Sequence, residues 1–546
     1  MEKRLVLSFV LSFLVLYLWA MMAPKTPESP ETAASLNATE TTTDQPAEIE
    51  DISAAATSAI EPAEVTPTEY FHIENDQLEI TFANVGGGLV HIQLKEYDEP
   101  LPVDHIGGFQ EYSQRVFQVA RQEPRLLEFR LTDEDFSVSR IYSLDEEGYT
   151  LHVTDKVTNH GEMSKDVRLD IIGFTLNMRD GPKGHHPNKP KVSGPAASRD
   201  RGLNEYAVNS AKGIKRKNNA YKFGPKDEKT EEGSVTWLAF RNRYYATIVK
   251  PEFETTGYSQ RVIEEQVLQL HLNSTPYKLS PVESRDYNYT VFIGPERTEL
   301  LKEYGGDFDK IKRYYKFGLF DAIAKLIGGL MKVLYGFIPN WGVCIILISI
   351  VIYYSMYPLT AKGMASMKRM QALQPKIQQL KERYEDNPQK LNQEMLELYR
   401  REKINPLGGC LPMLFQMPVF IGLYQVLWRN VDFKGAHFLW IKDLSQPDRL
   451  FTLDFSLPVI GTDINLLPIL MIIIMAVQQR FSAKNMTAAD PVQQQQQKMM
   501  MTVMPLLLGF IFYKFASGLT LYFTMFYIFS TITQWKISKE PKVTNA

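Results

Sequence analysis

Hydroxyl and amide side chains recur along one face of the last apolar segment of the chain. They are Thr520, Thr524, Tyr527, Thr531 and Gln534, at positions i, i+4, i+7, i+11 and i+14 of a helix. Two interpretations are open. Ser and Thr in membrane helices commonly bond their own backbone or a neighbouring helix. A continuous stripe instead indicates a polar path through an apolar layer, where unpaired polar groups are costly.

A second apolar segment repeats this pattern with Ser349, Tyr353, Tyr357 and Thr360. Both segments are predicted to run in the same direction, which puts Tyr353 at the depth of Thr524 and Tyr527. Two matched stripes favour a partly hydrated groove inside a bilayer, open on one side.

The apolar segments carry no Asp, Glu, Lys or Arg near their middles, so a proton relay or an ion-coupled pump lacks its expected charges. No phosphate-binding G-x-x-x-x-G-K-[ST] motif is present, and Cys344 and Cys410 lie in separate segments. His185 and His186 fall in a polar loop and are interpreted as solvated. We therefore expect no cofactor, no metal site and no catalytic residue, and the chain is not predicted to be an enzyme.

Six apolar segments predict a multi-pass membrane protein. Residues 1–22 form an anchor with Lys3 and Arg4 at its start, and five spans follow at roughly 341–359, 407–428, 464–478, 499–515 and 518–535. Before them, residues 316–338 are predicted to form an interfacial amphipathic helix, because Asp321, Lys325 and Lys332 share one stripe of an otherwise apolar helix. A core-facing amphipathic helix is the alternative.

Basic residues in the loops predict the orientation of the chain. Residues 361–404 contain ten Lys or Arg, whereas residues 429–463 contain four. Because cytoplasmic loops are enriched in Lys and Arg, the first of these loops, the N-terminus and the tail 537–546 are assigned to the cytoplasm. The region before the second span then lies in the periplasm of a bacterial inner membrane.

That outer region has two parts. Residues 23–69 are rich in Thr, Ala, Pro and Glu, which predicts a disordered linker. Residues 70–315 alternate apolar and polar positions in many short runs, which predicts an antiparallel β-sandwich. Gly86, Gly87 and Gly88 mark a turn between two of its strands.

The cytoplasmic loop 361–404 has the pattern of a helical hairpin. Its apolar seam comprises Met370, Leu373, Ile377, Leu380, Tyr384, Leu391, Met395 and Leu398, with a break at Asn387–Pro388. The basic residues predicted to face outward are Lys376, Lys381, Arg383, Arg400 and Arg401. The hairpin is either a solvated spacer or a docking arm for the ribosome, targeting factors or lipid headgroups.

The sequence resembles the YidC family of membrane protein insertases, in its Gram-negative form with a large periplasmic domain. The resemblance rests on "NWGVCIILISIVIYYSMYPLT", "LQPKIQQLKERY", "KINPLGGCLPMLFQMPVFIGLY", "HFLWIKDLS" and "SGLTLYF", and more thinly on "VTWLAFRNRYYAT" and "VFIGPE". It implies a periplasmic β-supersandwich, a five-helix insertase core over residues 339–536, and a hydrophilic groove. The groove residues expected here are Ser349, Tyr353, Tyr357, Gln416, Thr520, Tyr522, Thr524, Tyr527 and Thr531.

The resemblance also implies partners: nascent membrane proteins, the Sec translocon, the ribosome or targeting factors, and membrane lipids. The net charge of −3 gives no reason to expect sequence-specific nucleic-acid binding. One departure stands out, because most family members place an arginine where this chain has Tyr353. Two other classes stay open on the sequence alone: a transporter or channel for a small solute, and an enzyme or sugar-binding protein centred on the β-sandwich.

Overall fold

The computed structural model describes a strand-rich part of the chain followed by a helix-rich part. The described residues are 68–97, 99–101, 103–167, 170–177, 205–218, 228–264, 267–315, 318–385, 387–402, 404, 411–457, 461–484 and 491–539. The predicted anchor 1–22, nearly all of the linker 23–69, and most of the tail 537–546 lie outside this set. His185, His186 and Cys410 lie outside it as well.

The chain divides into two compact units. The first unit lies within residues 1–93, 100–238 and 249–291, and the second within residues 94–99, 239–248 and 292–546. Two short segments, 94–99 and 239–248, therefore belong to the helix-rich second unit although the strand-rich region surrounds them in sequence.

Short runs of alternating residues form the strands, as the sequence predicts. Their bounds are β1 (Tyr70–Glu74), β2 (Leu78–Ala83), β3 (Gly88–Leu94), β4 (Glu99–Pro100), β5 (Val103–His105), β6 (Gln118–Glu123), β7 (Leu126–Thr132), β8 (Phe136–Leu144), β9 (Thr150–Asn159), β10 (Lys165–Val167), β11 (Asp170–Asn177), β12 (Glu205–Ser210), β13 (Gly213–Asn218), β14 (Glu228–Glu232), β15 (Val235–Arg241), β16 (Tyr245–Pro251), β17 (Thr255–Glu264), β18 (Val267–Ser274), β19 (Tyr277–Leu279), β20 (Ser284–Pro295), β21 (Phe451–Leu457) and β22 (Gly461–Ile464).

The strands form sheets in which neighbours are often distant in sequence. A nine-stranded sheet has the order β13-β12-β15-β16-β20-β9-β8-β7-β6, and a five-stranded sheet has the order β14-β17-β18-β11-β5. Strands β1 to β4 form a meander, in which Gly86 and Gly87 adopt φ angles of +73° and +52° between β2 and β3. This confirms the predicted glycine turn, because L side chains rarely adopt such angles.

A buried ion pair holds that glycine turn inside the first unit. The guanidinium of Arg140 donates to Asp155 at 2.5 Å and to the carbonyl oxygens of Gly86 and Gly87 at 2.6 and 3.0 Å. The hydroxyl of Tyr289 donates to the other oxygen of Asp155 at 2.8 Å. Because both charges are paired and bonded, a single substitution here would leave an uncompensated buried charge.

The helices belong to the second unit. Their bounds are α1 (Thr298–Glu303), α2 (Gly318–Phe337), α3 (Trp341–Ala372), α4 (Gln374–Arg383), α5 (Pro388–Arg401), α6 (Leu411–Arg429), α7 (Leu466–Lys484), α8 (Pro491–Phe512) and α9 (Ser517–Lys539).

Two features of the helical unit differ from the predicted segments. Helix α3 does not end near residue 359 but continues through Pro358 to Ala372, so the predicted span and the first part of the predicted loop are one helix. Pro358 is tolerated there because it removes one backbone bond without breaking the rest. The loop before α7 contains the hairpin β21–β22, which the apolar pattern does not predict.

Helix α2 packs closely on α6. Its buried residues are Ala324, Ile327 and Met331, and a side chain at Gly422 of α6 would lie 3.2 Å from the backbone nitrogen of Ala324. Gly422 therefore allows the two helix backbones to approach. Beside the charged stripe of Asp321, Lys325 and Lys332, α2 also exposes large apolar side chains, with Leu326 72% and Phe337 82% exposed.

Within the described residues, one helix is long and apolar enough to cross a membrane: the segment Trp341–Gly363 of α3. Leu466–Phe481 of α7 and Thr502–Phe512 of α8 are apolar but shorter. The number of six spans therefore stays a prediction.

His271 is buried in the middle of the five-stranded sheet, where β18 pairs with β17 and β11. It is 2% exposed, and among the described residues neither ring nitrogen has a hydrogen-bond partner. The pKa of His271 is lowered to about 4, chiefly by burial and also by the nearby charge of Arg261, against the opposing effect of Glu228. The folded state therefore holds this imidazole neutral.

We predict that His271 makes the first unit less stable as the pH falls. The unfolded chain takes up a proton near pH 6.5 and the folded chain does not, so stability falls between pH 7 and pH 5 by about 2 kcal/mol. In thermal unfolding of the β structure, His271→Gln should show a correspondingly flatter pH dependence. His152→Gln is the matched control, because His152 is half-exposed beside Asp145. Parallel curves for wild type and His271→Gln would contradict this.

Candidate functional site

Helix α9 carries the polar stripe that the sequence predicts, and it packs among α3, α6 and α7. The buried apolar core around it includes Ile348 of α3, Leu423 of α6 and Met471 of α7. The sequences of α3 from 342 to 361 and of α9 from 518 to 535 contain no charged residue. Polar contacts between these helices are therefore neutral hydrogen bonds.

Three such hydrogen bonds join α9 to three different helices. The hydroxyl of Tyr353 on α3 donates to Thr533 at 2.7 Å. The side-chain amides of α6 and α7 make the other two bonds. Gln416 donates to the hydroxyl of Tyr522 at 3.3 Å, and Gln478 donates to Ser530 at 2.7 Å. Each bond fixes the rotation of one neighbour against α9.

The aliphatic hydroxyls of both stripes bond within their own helices. Each donates to the carbonyl oxygen four residues earlier, at 2.6 to 3.3 Å, and the residues concerned are Ser349, Thr360, Thr520, Thr524 and Thr531. Backbone bonding of this kind satisfies the donor but leaves oxygen lone pairs available. These hydroxyls can therefore accept hydrogen bonds but have no free donor.

The predicted groove residues fall into two sets by burial. Ser349, Tyr353, Thr520, Tyr522 and Thr524 are buried inside the bundle. Gln416, Tyr527 and Thr531 are half-buried, and Tyr357 is 39% exposed. Of these more accessible members, Tyr357 lies in the middle of α3, Gln416 near the start of α6, and Tyr527 and Thr531 in the middle of α9.

Tyr353 packs against α9 near the position of Tyr527. Its ring lies 5.8 Å from the rings of both Phe526 and Phe529, and its hydroxyl reaches Thr533 further along α9. Only 6% of Tyr353 is exposed, so the ring is a packed contact between α3 and α9.

Sequence reasoning missed the partner residues on the second face of α9. Thr533 and Ser530 lie three positions apart, and their partners Tyr353 and Gln478 are the polar residues of two neighbouring apolar segments. A search for single polar residues in every apolar segment would have identified Gln478. It would also have identified Gln425 of α6, which is 4% exposed and whose side-chain oxygen has no partner among the described residues.

Comparisons with known proteins match both parts of the chain. The family model of the 60Kd inner membrane protein covers residues 333–544, and that of the YidC periplasmic domain covers residues 107–328. A crystal structure of an active YidC insertase is 19% identical over 88% of this chain and 95% of that chain, with a TM-score of 0.38.

Relatives also match from end to end. The membrane protein insertase YidC of Geotalea daltonii is 30% identical over 99% of this chain and 99% of its own length. That of Janthinobacterium sp. (strain Marseille) is 30% identical over 100% of both. The chain belongs to the YidC family. The resemblance noted in the sequence is thereby confirmed.

In this YidC-family chain, residues 373–401 form two short helices that pack as a hairpin. Leu373, Ile377 and Leu398 are buried together, with Leu380 and Met395 against them. The side chain of Asn387 accepts from the backbone nitrogen of Lys390 at 3.0 Å and caps α5. Five of the eight residues of the predicted seam thus pack together, and the break at Asn387–Pro388 lies after the end of α4, where α5 begins.

The basic residues predicted on the hairpin are on its surface. Those exposed are Lys376, Lys381, Arg383, Arg400 and Arg401. Lys376 also bonds Glu402 at 2.7 Å, which joins the first arm to the end of the second.

We predict that the Tyr353–Thr533 hydrogen bond stabilises the YidC-family bundle by about 1 kcal/mol. Tyr353→Phe and Thr533→Val should each lower the free energy of unfolding in detergent by about that amount, and the double variant should lose no more than either single variant. Tyr354→Phe is the control, because Tyr354 is 60% exposed on the same helix. Unfolding would be followed by circular dichroism. If the double variant lost the sum of the two single-variant losses, the hydrogen bond would contribute nothing to the stability of the bundle.

Proposed function

We propose that this chain is a membrane protein insertase and folding chaperone, which moves hydrophobic segments of nascent inner-membrane proteins into the bilayer. One observation carries the proposal. Curated relatives named as membrane protein insertases match the chain over its whole length. In each comparison, 99% or more of both sequences is matched. No catalytic step and no cofactor form part of it.

The proposed groove works by lowering the cost of moving polar backbone into the bilayer. An unpaired polar group in hydrocarbon costs several kcal/mol, by rough estimate. Among the residues assigned to the groove, Tyr357 on α3 is 39% exposed, and Tyr527 and Thr531 on α9 are half-buried. A segment in transit can hydrogen-bond these groups and the water among them, then partition into lipid once its polar flank has passed.

The groove of this chain is neutral. No charged residue lies in α3 from 342 to 361 or in α9 from 518 to 535, and Tyr353 stands where most family members are expected to carry an arginine. A buried cation would attract acidic residues strongly at low dielectric. We propose instead that the chain serves clients through groove polarity and local thinning of the apolar barrier.

The proposed topology has six spans, with both termini in the cytoplasm and the strand-rich region in the periplasm as a β-supersandwich. It is supported by the excess of Lys and Arg in residues 361–404 over residues 429–463. The proposed partners are nascent membrane proteins, the Sec translocon, the ribosome or targeting factors, and membrane lipids. Work without the Sec translocon is proposed for clients that have short translocated tails.

The insertase proposal predicts a direct contact between client and groove. A photoreactive phenylalanine at Tyr357 should crosslink the hydrophobic segment of a stalled ribosome-bound membrane protein, because Tyr357 is 39% exposed and belongs to the polar stripe of α3. Phe510 of α8 is the control: it is 58% exposed but belongs to an apolar helix surface. Equal crosslinking at both positions would reject the proposal. So would the absence of crosslinking at Tyr357, if the reconstituted protein also inserts no client.

The hairpin is predicted to receive clients through its charged surface. The test variant combines Lys381→Gln, Arg383→Gln, Arg400→Gln and Arg401→Gln. It should fold as wild type does but insert less of a Sec-independent client in reconstituted vesicles. Lys376 stays unchanged, since its bond to Glu402 holds the two arms.

The matched control for the hairpin neutralises exposed carboxylates on the same arms, with Glu382→Gln, Glu385→Gln and Glu397→Gln. It should insert the client as well as wild type, because the expected receptor surface of ribosome or lipid is anionic. Equal insertion by the basic and acidic variants would show that the hairpin is a spacer.

A further inference from the structure

A charged cavity lies within the second unit, away from the polar stripes of α3 and α9. Its volume is about 400 Å³, within the usual range for sites that take small molecules. All ten lining residues belong to the second unit: Glu96, Tyr97, Arg297, Glu299, Lys332, Tyr335, Trp341, Val431, Asp432 and Lys434.

The lining carries balanced charge. Three cations and three carboxylates face the cavity, so it suits a ligand that bears both signs. Arg297 holds two of the carboxylates, Glu96 at 3.2 Å and Asp432 at 2.9 Å. Lys332 pairs with Glu299, whose side chain is 70% exposed, so an incoming anion can replace that carboxylate at little cost.

Aromatic rings complete the cavity wall. Tyr335 and Trp341 stack with ring centroids 4.1 Å apart and planes 14° apart, and the edge of Trp341 meets Phe433. The ammonium of Lys434 lies 5.8 Å from the ring centre of Tyr97. Carboxylates beside aromatic faces recognise an ammonium group, whereas Lys and Arg recognise a phosphate.

The position of the cavity points to a lipid rather than to a soluble zwitterion. Lys332 and Tyr335 line it from α2, while Val333 and Phe337 of the same helix are 57% and 82% exposed. Trp341 is the first residue of the segment that is long enough to cross a membrane. Tryptophan at the end of a span lies at the level of lipid headgroups.

We propose that this cavity binds the headgroup of a zwitterionic phospholipid with a primary ammonium, such as phosphatidylethanolamine. Lys332 and Lys434 hold the phosphate, Glu96 and Asp432 hold the ammonium, and the acyl chains follow the exposed apolar surface of α2. The inference rests on the proposed function only in taking α2 to lie at the membrane surface. It assigns a lipid to a site that is separate from the client groove.

The test uses the full-length protein, delipidated in detergent, with phosphatidylethanolamine, phosphatidylcholine and phosphatidylglycerol of identical acyl chains, and counts bound lipids by native mass spectrometry. Wild type should retain phosphatidylethanolamine in preference to the other two. The double variant Lys332→Gln, Lys434→Gln should weaken its binding by about tenfold or more, since a charge-assisted hydrogen bond contributes roughly that factor.

Two further variants keep the test informative if the first one folds poorly. Glu96→Gln with Asp432→Asn should shift the preference toward anionic phosphatidylglycerol, a change of order that a loss of folding does not produce. Lys325→Gln is the matched control, because Lys325 is exposed on the same helix, pairs with Asp321 at 2.9 Å and does not line the cavity. It should bind lipid as wild type does.

Three results would overturn the inference. Equal binding of all three lipids by wild type would show that no headgroup is recognised. Displacement of the lipid by equimolar glycerophosphoethanolamine would identify a soluble zwitterion as the occupant. A photoreactive group at Tyr335 that crosslinks a periplasmic protein in cells, and no lipid, would identify a polypeptide. Client insertion by the wild-type protein is measured in parallel, so a failed lipid site and a failed insertase proposal give different results.

Discussion

Neutral hydrogen bonds to one helix determine how the helical unit is arranged. Lipid tails are as apolar as leucine side chains, so burying apolar surface between helices gives little driving force in a bilayer, and polar contacts gain importance. Helix α9 receives one such bond from each of α3, α6 and α7, through Tyr353, Gln416 and Gln478. These bonds set the rotation of each helix, and that rotation decides which hydroxyls become accessible.

Backbone bonding limits what the proposed groove can offer. The half-buried Thr531 already donates to its own backbone, so its hydroxyl presents lone pairs rather than a hydrogen. The groups that a passing backbone most needs to satisfy are its N–H donors, because each extended residue exposes one. An acceptor of this kind is suited to these donors, and the exposed phenol of Tyr357 can supply a donor to carbonyl groups.

The sequence predicted local patterns well and long-range partners poorly. The seam of Leu373, Ile377 and Leu398 and the turn at Gly86 and Gly87 follow from periodicity and backbone freedom, which are properties of neighbouring residues. The partner of Tyr353 depends on the relative height of two helices that are joined through 144 intervening residues between α3 and α9. Periodicity fixes the face on which Tyr353 lies but not that height.

The distinction between local sequence patterns and long-range contacts also explains where else the structure differs from the sequence-based predictions. Helix α3 continues to Ala372 because backbone hydrogen bonds do not stop where apolar composition stops, and hydropathy marks only the apolar part. The charged cavity could not be predicted at all, since its wall combines segment 94–99 with residues more than 300 positions later in the chain. The family, in contrast, is recognisable from local motifs, because each is a continuous run of residues in the sequence.

Close packing connects helix α2 to the helices that hold the proposed groove. Gly422 brings α6 against α2, and the neighbouring α6 residue Leu423 belongs to the core that surrounds α9. A shift of α2 would be opposed by α6, since the side chain of Ile323 and the backbone of Ala324 already lie against Gly422 and packed interiors yield little. The position of α2 therefore constrains that of α6, and through Gln416 that of α9. Where α2 lies in the membrane interface, as the sequence predicts, the lipid surface would help to set the geometry of the proposed groove even where no lipid enters it.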